Sequence, residues 1–181
     1  MSVPGRLIPL HQDATELEVD PSDLTAVVRA YRPYVAGVVK RMLGRDDEVD
    51  DIVQDTFVRA LDGLKRLENP QRVKPYLAST AVRLTLRRLR RRRLQRAFGL
   101  WERWHPTLLS TPRANGEHMA LLSDVYRVLD SRSADEQVAW SLRYLEGERL
   151  ERVSELLGCS ISTAKRRIAA VDAAMEEAHR D

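Results

Sequence analysis

The chain has 181 residues, enough for one medium domain or two small ones, and its 43% apolar and 31% charged residues allow a packed but thin core. Formal net charge is only +3 with a pI near 9.2, so any docking to a polyanion must come from local charge segregation. One cysteine, Cys159, excludes an intrachain disulfide and points to a reducing cytoplasmic setting; no apolar run is long enough to cross a membrane, and MSVPGRLIPL does not read as a secretory signal.

Residues 1–21, with Pro4, Gly5, Pro9 and Pro21, read as a loose extension. Ser22 or Asp23 can cap a helix running toward Tyr31, and a second helix spans Tyr34 to Leu43 and stops at Gly44. The next helix has the clearest period. Val49, Ile52, Val53, Thr56, Phe57, Ala60, Leu61 and Leu64 recur on one face. That stripe turns Asp51, Gln54, Asp55, Val58, Arg59 and Asp62 outward or to the flank. Acids crowd this region (Asp46, Asp47, Glu48, Asp50, Asp51, Asp55, Asp62), and those at its N-terminal end suit the helix dipole.

Asn69-Pro70 marks a turn. Val73, Tyr76, Leu77 and Ala81 then lead into an arginine-rich helix with Arg83, Arg87, Arg88, Arg90, Arg91, Arg92, Arg93 and Arg96, whose buried side is Val82, Leu86, Leu89 and Leu94. An acidic helix beside an arginine helix can offer one face to a basic protein partner and the other to nucleic acid. Residues 98–117 carry Gly99, Pro106, Pro112 and Gly116 and read as a linker, in which Trp101 and Trp104 either dock on a neighbouring domain or enter a partner's channel.

From His118 the helical period returns. Met119, Leu122, Val125, Tyr126 and Leu129 define one helix; Val138, Leu142 and Leu145 define another, ending at Gly147. A short helix from Leu150 to Leu157, the stop Gly158, a turn over 159–162 and a last helix from Thr163 to Glu177 form a helix-turn-helix pattern. Ser160 is the candidate N-cap. Ile161, Ala164, Ile168, Val171 and Met175 are expected inward; Ser162, Arg166, Ala169, Ala170 and Ala173 outward. Lys165, Arg166 and Arg167 sit in the first turns of the last helix, where an N-terminus can enter a major groove. No strand alternation occurs, so the expected class is all-α, in two small helical domains joined by a linker.

The adjacent acid pairs have no histidine near them, and His11, His105, His118 and His179 are scattered. Cys159 has no base beside it and there is no glycine-rich phosphate loop. Nothing assembles a catalytic site, a metal site or a cofactor site. Arginines neutralise duplex phosphates without sequence preference, whereas opened strands also need stacking surfaces. Tyr76 is a candidate for one, or else a core aromatic.

At this point the residues resemble a family. Asp46-Asp47-Glu48-Val49-Asp50-Asp51-Ile52-Val53-Gln54-Asp55-Thr56-Phe57-Val58-Arg59-Ala60 is similar to the polymerase-binding helix, region 2.2, of bacterial extracytoplasmic-function sigma factors. Tyr76-Leu77 through Arg93 is similar to regions 2.3 and 2.4, which hold the promoter −10 element. Arg143-Tyr144-Leu145-Glu146-Gly147, Glu151, Leu156-Leu157-Gly158 and Ser160 through Ile168 look like region 4, which reads the −35 element. The resemblance covers residues 22–97 and 118–181.

It implies core RNA polymerase and promoter DNA as partners, with an anti-sigma factor as a further one. Asp51, Gln54, Asp55 and Arg59 would lie on polymerase. Arg83 and Leu84 would fall in a loop between regions 2.3 and 2.4 that captures a flipped base. Arg87, Arg88 and Arg91 would track the backbone. Lys165 and Arg166 would face the −35 groove, with Ser162, Thr163 and Arg167 beside them. Two departures stand out: Arg83 occupies the family's usual asparagine position, and Ala78-Ser79-Thr80 replaces an aromatic-rich stretch. The last helix departs too, with Ala169-Ala170-Val171-Asp172 where relatives often place further basic or aromatic residues; this and Arg83 motivate a rival reading as a stand-alone helix-turn-helix regulator. An RNA-binding structural protein is a third. A bubble of about ten base-pair steps costs on the order of 14 kcal/mol at about 1.4 per step, and one stacked base returns about 1–3. A chain this small would need the polymerase for most of the holding surface.

Overall fold

The computed structural model describes residues 19–44, 47–98 and 116–180, with side chains in the last stretch from 122 onward. Most of the N-terminal extension with His11, the acid Asp46, and the linker segment with Trp101, Trp104 and His105 lie outside the described residues, as do the side chains of His118 and Met119.

Asp23 opens the first helix: its carboxylate accepts the Ala26 amide at 2.9 Å, and α1 runs Leu24–Leu43. The expected break before Tyr34 does not occur. Pro33 sits inside the helix on its exposed side, where the Arg29 carbonyl it leaves unpaired can face water. A mid-helix proline costs about 3 kcal/mol. Burying Val27, Tyr31, Val35, Val38, Val39 and Met42 on the opposite side, at about 1.5–3 kcal/mol each, outweighs that cost. Local propensity gives way to packing.

Helix α2 spans Val49–Leu64 and buries Val49, Ile52, Val53, Thr56, Phe57, Ala60 and Leu64, the stripe expected from its period, with Leu61 at the margin. Asn69 caps a short 3-10 turn, Pro70–Arg72, by accepting the Gln71 amide at 2.9 Å. Helix α3 then runs unbroken from Val73 to Ala97. No loop interrupts it at Arg83 and Leu84, which corrects the expectation for those residues. Leu94 is also corrected: it is 60% exposed. Five residues past Leu89, it has rotated about 140° off the apolar stripe, and Arg92 and Arg93 take the inward side.

In the C-terminal half, α4 (Gly116–Ser131) leads to α5 (Ala134–Trp140), whose start is fixed by a capping box between Ser133 and Glu136. α5 continues as a π-helical turn, Ser141–Leu145, before Gly147. α6 spans Leu150–Leu157 and ends at Gly158, φ 61°, a left-handed stop that favours glycine. Ser160 accepts the Thr163 amide at 3.2 Å and starts α7, Ile161–Ala178. The turn is therefore shorter than expected, and Ile161 is 41% exposed rather than inward. As the first helical residue it sits beyond the neighbours that cover Ala164, Ile168 and Val171. Trp140 and Tyr144 both donate to the Asp172 carboxylate, at 2.9 and 3.2 Å, and tie α7 to α5 and the π turn.

α1, α2 and α3 pack on one another; α4 to α7 form the second group. The two groups meet along α3, which packs on α5 and α6, and at the end of α1. A helix end leaves carbonyls without partners, and here the other half supplies them: Tyr126 donates to the Arg41 carbonyl at 3.0 Å and Gln137 to that of Met42 at 2.9 Å. Gly44, φ 71°, lets the Tyr126 ring lie on the backbone; a Cβ there would fall 2.3 Å from the ring. Among the described residues there is no strand, and no helix is long and apolar enough to cross a membrane.

Candidate functional site

On α2 the residues between the buried positions form one outward face. Asp51, Gln54, Asp55, Val58, Arg59 and Asp62 are all exposed, and Val58 is 59% so. Asp51, Gln54, Asp55 and Arg59 have no ion pair or hydrogen bond with a described side chain. This is the face the sequence pattern predicts. The acidic block is not one surface, however. Asp50 pairs with Arg32 at 2.8 Å. Glu48 is buried, against the outward role implied by the charge block, and reaches Arg88 at 3.0 Å and Arg92 at 3.7 Å.

That buried carboxylate helps to sort the arginines of α3, which the sequence presents without distinction. Three groups result. Arg88 and Arg92 turn toward Glu48; its hydrogen bond and charge hold the Arg88 guanidinium above its ordinary pKa, while burial pushes that of Arg92 down against the pull of Glu48. Arg90, Arg93 and Arg96 reach across to the C-terminal half. Arg90 forks onto Asp135 at 2.8 and 3.0 Å, Arg93 donates to Gln137 at 2.7 Å and to the Leu129 and Asp130 carbonyls, and Arg96 meets Asp130 at 2.9 Å. Only Arg83, Arg87 and Arg91 are exposed and make no ion pair with a described residue. Their four-residue spacing aligns them in one row at about 6 Å steps. Of the predicted backbone-tracking set, Arg88 therefore sits inward and partly screened. Leu84 packs against the core, and Tyr76 is half-buried with its hydroxyl where a Cβ of Gly63 would point.

In α7, Ser162, Lys165 and Arg166 are exposed and Thr163 is half-covered. The hydroxyls of Ser162 and Thr163 each lie 2.9 Å from that of Ser160, within the cap. Arg167 is held away from solvent by Asp135 at 2.9 Å. Asp135 thus takes one arginine from α3 and one from α7, and the Arg90 hydrogen bond draws its carboxyl below the usual carboxylate range. Sequence reasoning missed Asp130, Asp135, Gln137 and the Arg41–Glu146 pair at 2.5 Å, in which burial pushes the Glu146 carboxyl up against the pull of Arg41. These partners lie 34 to 105 residues apart in the chain, and no local spacing announces them. The one usable signal was stoichiometric: eight arginines on one helix are too many for a single face.

Residues 27–95, which hold the α2 face and nearly all of α3, match the model of sigma-70 region 2. The RNA polymerase sigma factor SigV of Bacillus subtilis is 25% identical over 122 residues, covering 67% of this chain and 70% of that protein. Among solved structures, the sigma factor RpoE in complex with the anti-sigma factor NepR, from Bartonella quintana, matches with a TM-score of 0.61 at 21% identity, over 88% of this chain and 98% of that one. CnrH in complex with the cytosolic domain of CnrY matches at 0.59 and 20%, over 91% and 96%. A stand-alone helix-turn-helix regulator would need only the C-terminal half, whereas the family match falls on the other; that rival is not favoured.

Proposed function

We propose that this chain is a sigma factor of the extracytoplasmic-function type, supported by the match of residues 27–95 to sigma-70 region 2 and the likeness to SigV, and that its surfaces divide the work. It binds core RNA polymerase and directs it to promoters. Residues 22–97 form the unit for polymerase and the −10 element, 98–117 the linker, and 118–181 the unit for the −35 element. Asp51, Gln54, Asp55 and Arg59 meet the polymerase. Arg83, Arg87 and Arg91 track the −10 backbone with Arg88 as an inward support; Lys165 and Arg166, with Ser162 and Thr163 beside them, face the −35 groove. Tyr76 and Leu84 shape the wall of the −10 unit rather than a loop. The chain acts as a specificity subunit in the cytoplasm and not as an enzyme. RpoE and CnrH are each seen with a partner, NepR and the cytosolic domain of CnrY; a protein of the anti-sigma class is a partner here by analogy.

The observation that carries this reading is the solvent-facing row Asp51, Gln54 and Asp55, which has no ion pair among the described residues, beside the arginine row of α3. The test is run-off transcription with purified core polymerase and a promoter library. Specific transcripts that depend on this chain are expected; failure to bind core polymerase ends the proposal. A finer expectation concerns α7. Lys165→Ala with Arg166→Ala should weaken promoter binding and lower the slope of log affinity against log salt, by about one unit for each phosphate no longer neutralised. An unchanged slope would place both side chains off the DNA.

A further inference from the structure

We infer that Asp135 is a built-in competitor for DNA phosphate, holding Arg90 of α3 and Arg167 of α7 at once so that one arginine of each DNA-facing helix is withheld until a polyanion displaces the carboxylate. The inference rests on the reading above that α3 and α7 face DNA.

Four features of this arrangement support it. Both nitrogens of Arg90 engage the two carboxylate oxygens, at 3.0 and 2.8 Å, in the fork geometry that guanidinium also uses for phosphate. Arg167 meets the same Oδ1 at 2.9 Å. One negative charge thus serves two positive ones, so the cluster keeps a net attraction for a further anion. Arg167 is also left incomplete: its Nη1 is buried with no hydrogen-bond partner. The cluster lies within reach of solvent. Arg90 is 56% exposed, and Arg167 lines an open cleft with Ser133, Glu136 and Arg166. Arg166 at the rim places a third guanidinium where an incoming phosphate would land. Glu136 does not compete for it, because its carboxylate closes the capping box with Ser133 and pairs with Arg132 at 3.4 Å.

Asp135 is one of several groups that join the two halves. Tyr126 on Gly44, the Gln137 bonds to Met42 and Arg93, and the Arg96–Asp130 and Arg41–Glu146 pairs hold them without it. Release of the two arginines therefore does not require the halves to part, and the effect belongs in DNA affinity.

The test uses the full chain without polymerase, a fluorescent mixed-sequence duplex and a salt series. Asp135→Asn, which keeps the shape and removes the charge, should leave the salt slope near wild type, because the duplex brings both arginines to phosphate with or without the carboxylate. Affinity at low salt should rise about tenfold or more. Asp135→Glu should behave as wild type. Adding Arg90→Gln and Arg167→Gln to Asp135→Asn should remove the gain. On the unaltered chain, heparin at low salt should shift the side-chain Nε–Hε resonances of Arg90 and Arg167, a readout that does not depend on how any variant folds. An unchanged low-salt affinity in a folded Asp135→Asn chain overturns the inference, as do unmoved resonances at saturating heparin. If Lys165→Ala with Arg166→Ala still lowers the slope in that case, the DNA-facing reading survives and only the competitor fails. If that pair has no effect either, the DNA-facing reading falls first.

Discussion

Asp51→Arg combined with Asp55→Arg should abolish binding to core RNA polymerase while helical content and thermal unfolding stay near wild type. Both side chains are exposed and neither is paired with a described residue, so their removal leaves no buried group without a partner. The opposing charges in reach are Arg59, one turn beyond Asp55 on the same exposed face, and Arg88, which already has Glu48. New repulsion toward Arg88 acts across a solvated surface, where salt screens it and single pairs count for little. At the interface the same reversal acts twice against a basic partner, and like-charge juxtaposition there costs several kcal/mol. About 3 kcal/mol corresponds to roughly a hundredfold loss of affinity. Titration of labelled core polymerase measures it, with circular dichroism as the control. Affinity unchanged by both reversals would remove α2 from the polymerase interface.

The face tested by that variant was readable from sequence because a single helix defined it. In α2 the buried and exposed residues alternate with the helical period, and a period is local information. The helix-turn-helix was readable for the same reason: Gly158 supplies the left-handed stop and Ser160 the cap, each a chemical necessity at its position. The failures share the opposite cause. Pro33 signals a break, but packing against both neighbouring helices holds α1 together as one helix. Ile161 and Leu94 are apolar and are expected inward, yet what lies opposite them is fixed by other elements. The arginines of α3 are the sharpest case. Arg87, Arg90 and Arg91 are chemically identical and nearly adjacent. Only Asp135, 45 residues from Arg90, separates the arginine that grips the other half from the two that face solvent. A run of like charges reads as one surface until its distant partners are known.

Glu48→Ala should be the most destabilising of the single substitutions, because it strands a buried charge. Arg92 is 5% exposed and its guanidinium has the Glu48 carboxylate at 3.7 Å as its ion pair. Removing one member of a buried pair costs about 3–5 kcal/mol. The lower part of that range applies, since 3.7 Å is too long for a hydrogen bond and the Arg92 Nε and Glu48 Oε2 have none. Arg88 adds to the loss, because its 3.0 Å ion pair goes too, although it is a third exposed and can turn to water. For a chain of this length each kcal/mol moves the midpoint by about 2–4 °C, so Tm should fall on the order of 10 °C. Glu48→Leu with Arg92→Met should recover most of it, as apolar replacement of a buried pair tends to be neutral or better. The double variant keeps the outward rows of α2 and α3, so polymerase binding should persist at temperatures where it is folded. A Tm within about 2 °C of wild type for Glu48→Ala would mean that Arg92 extends along its aliphatic stem to solvent, and that the inward arginines of α3 are not anchored by Glu48.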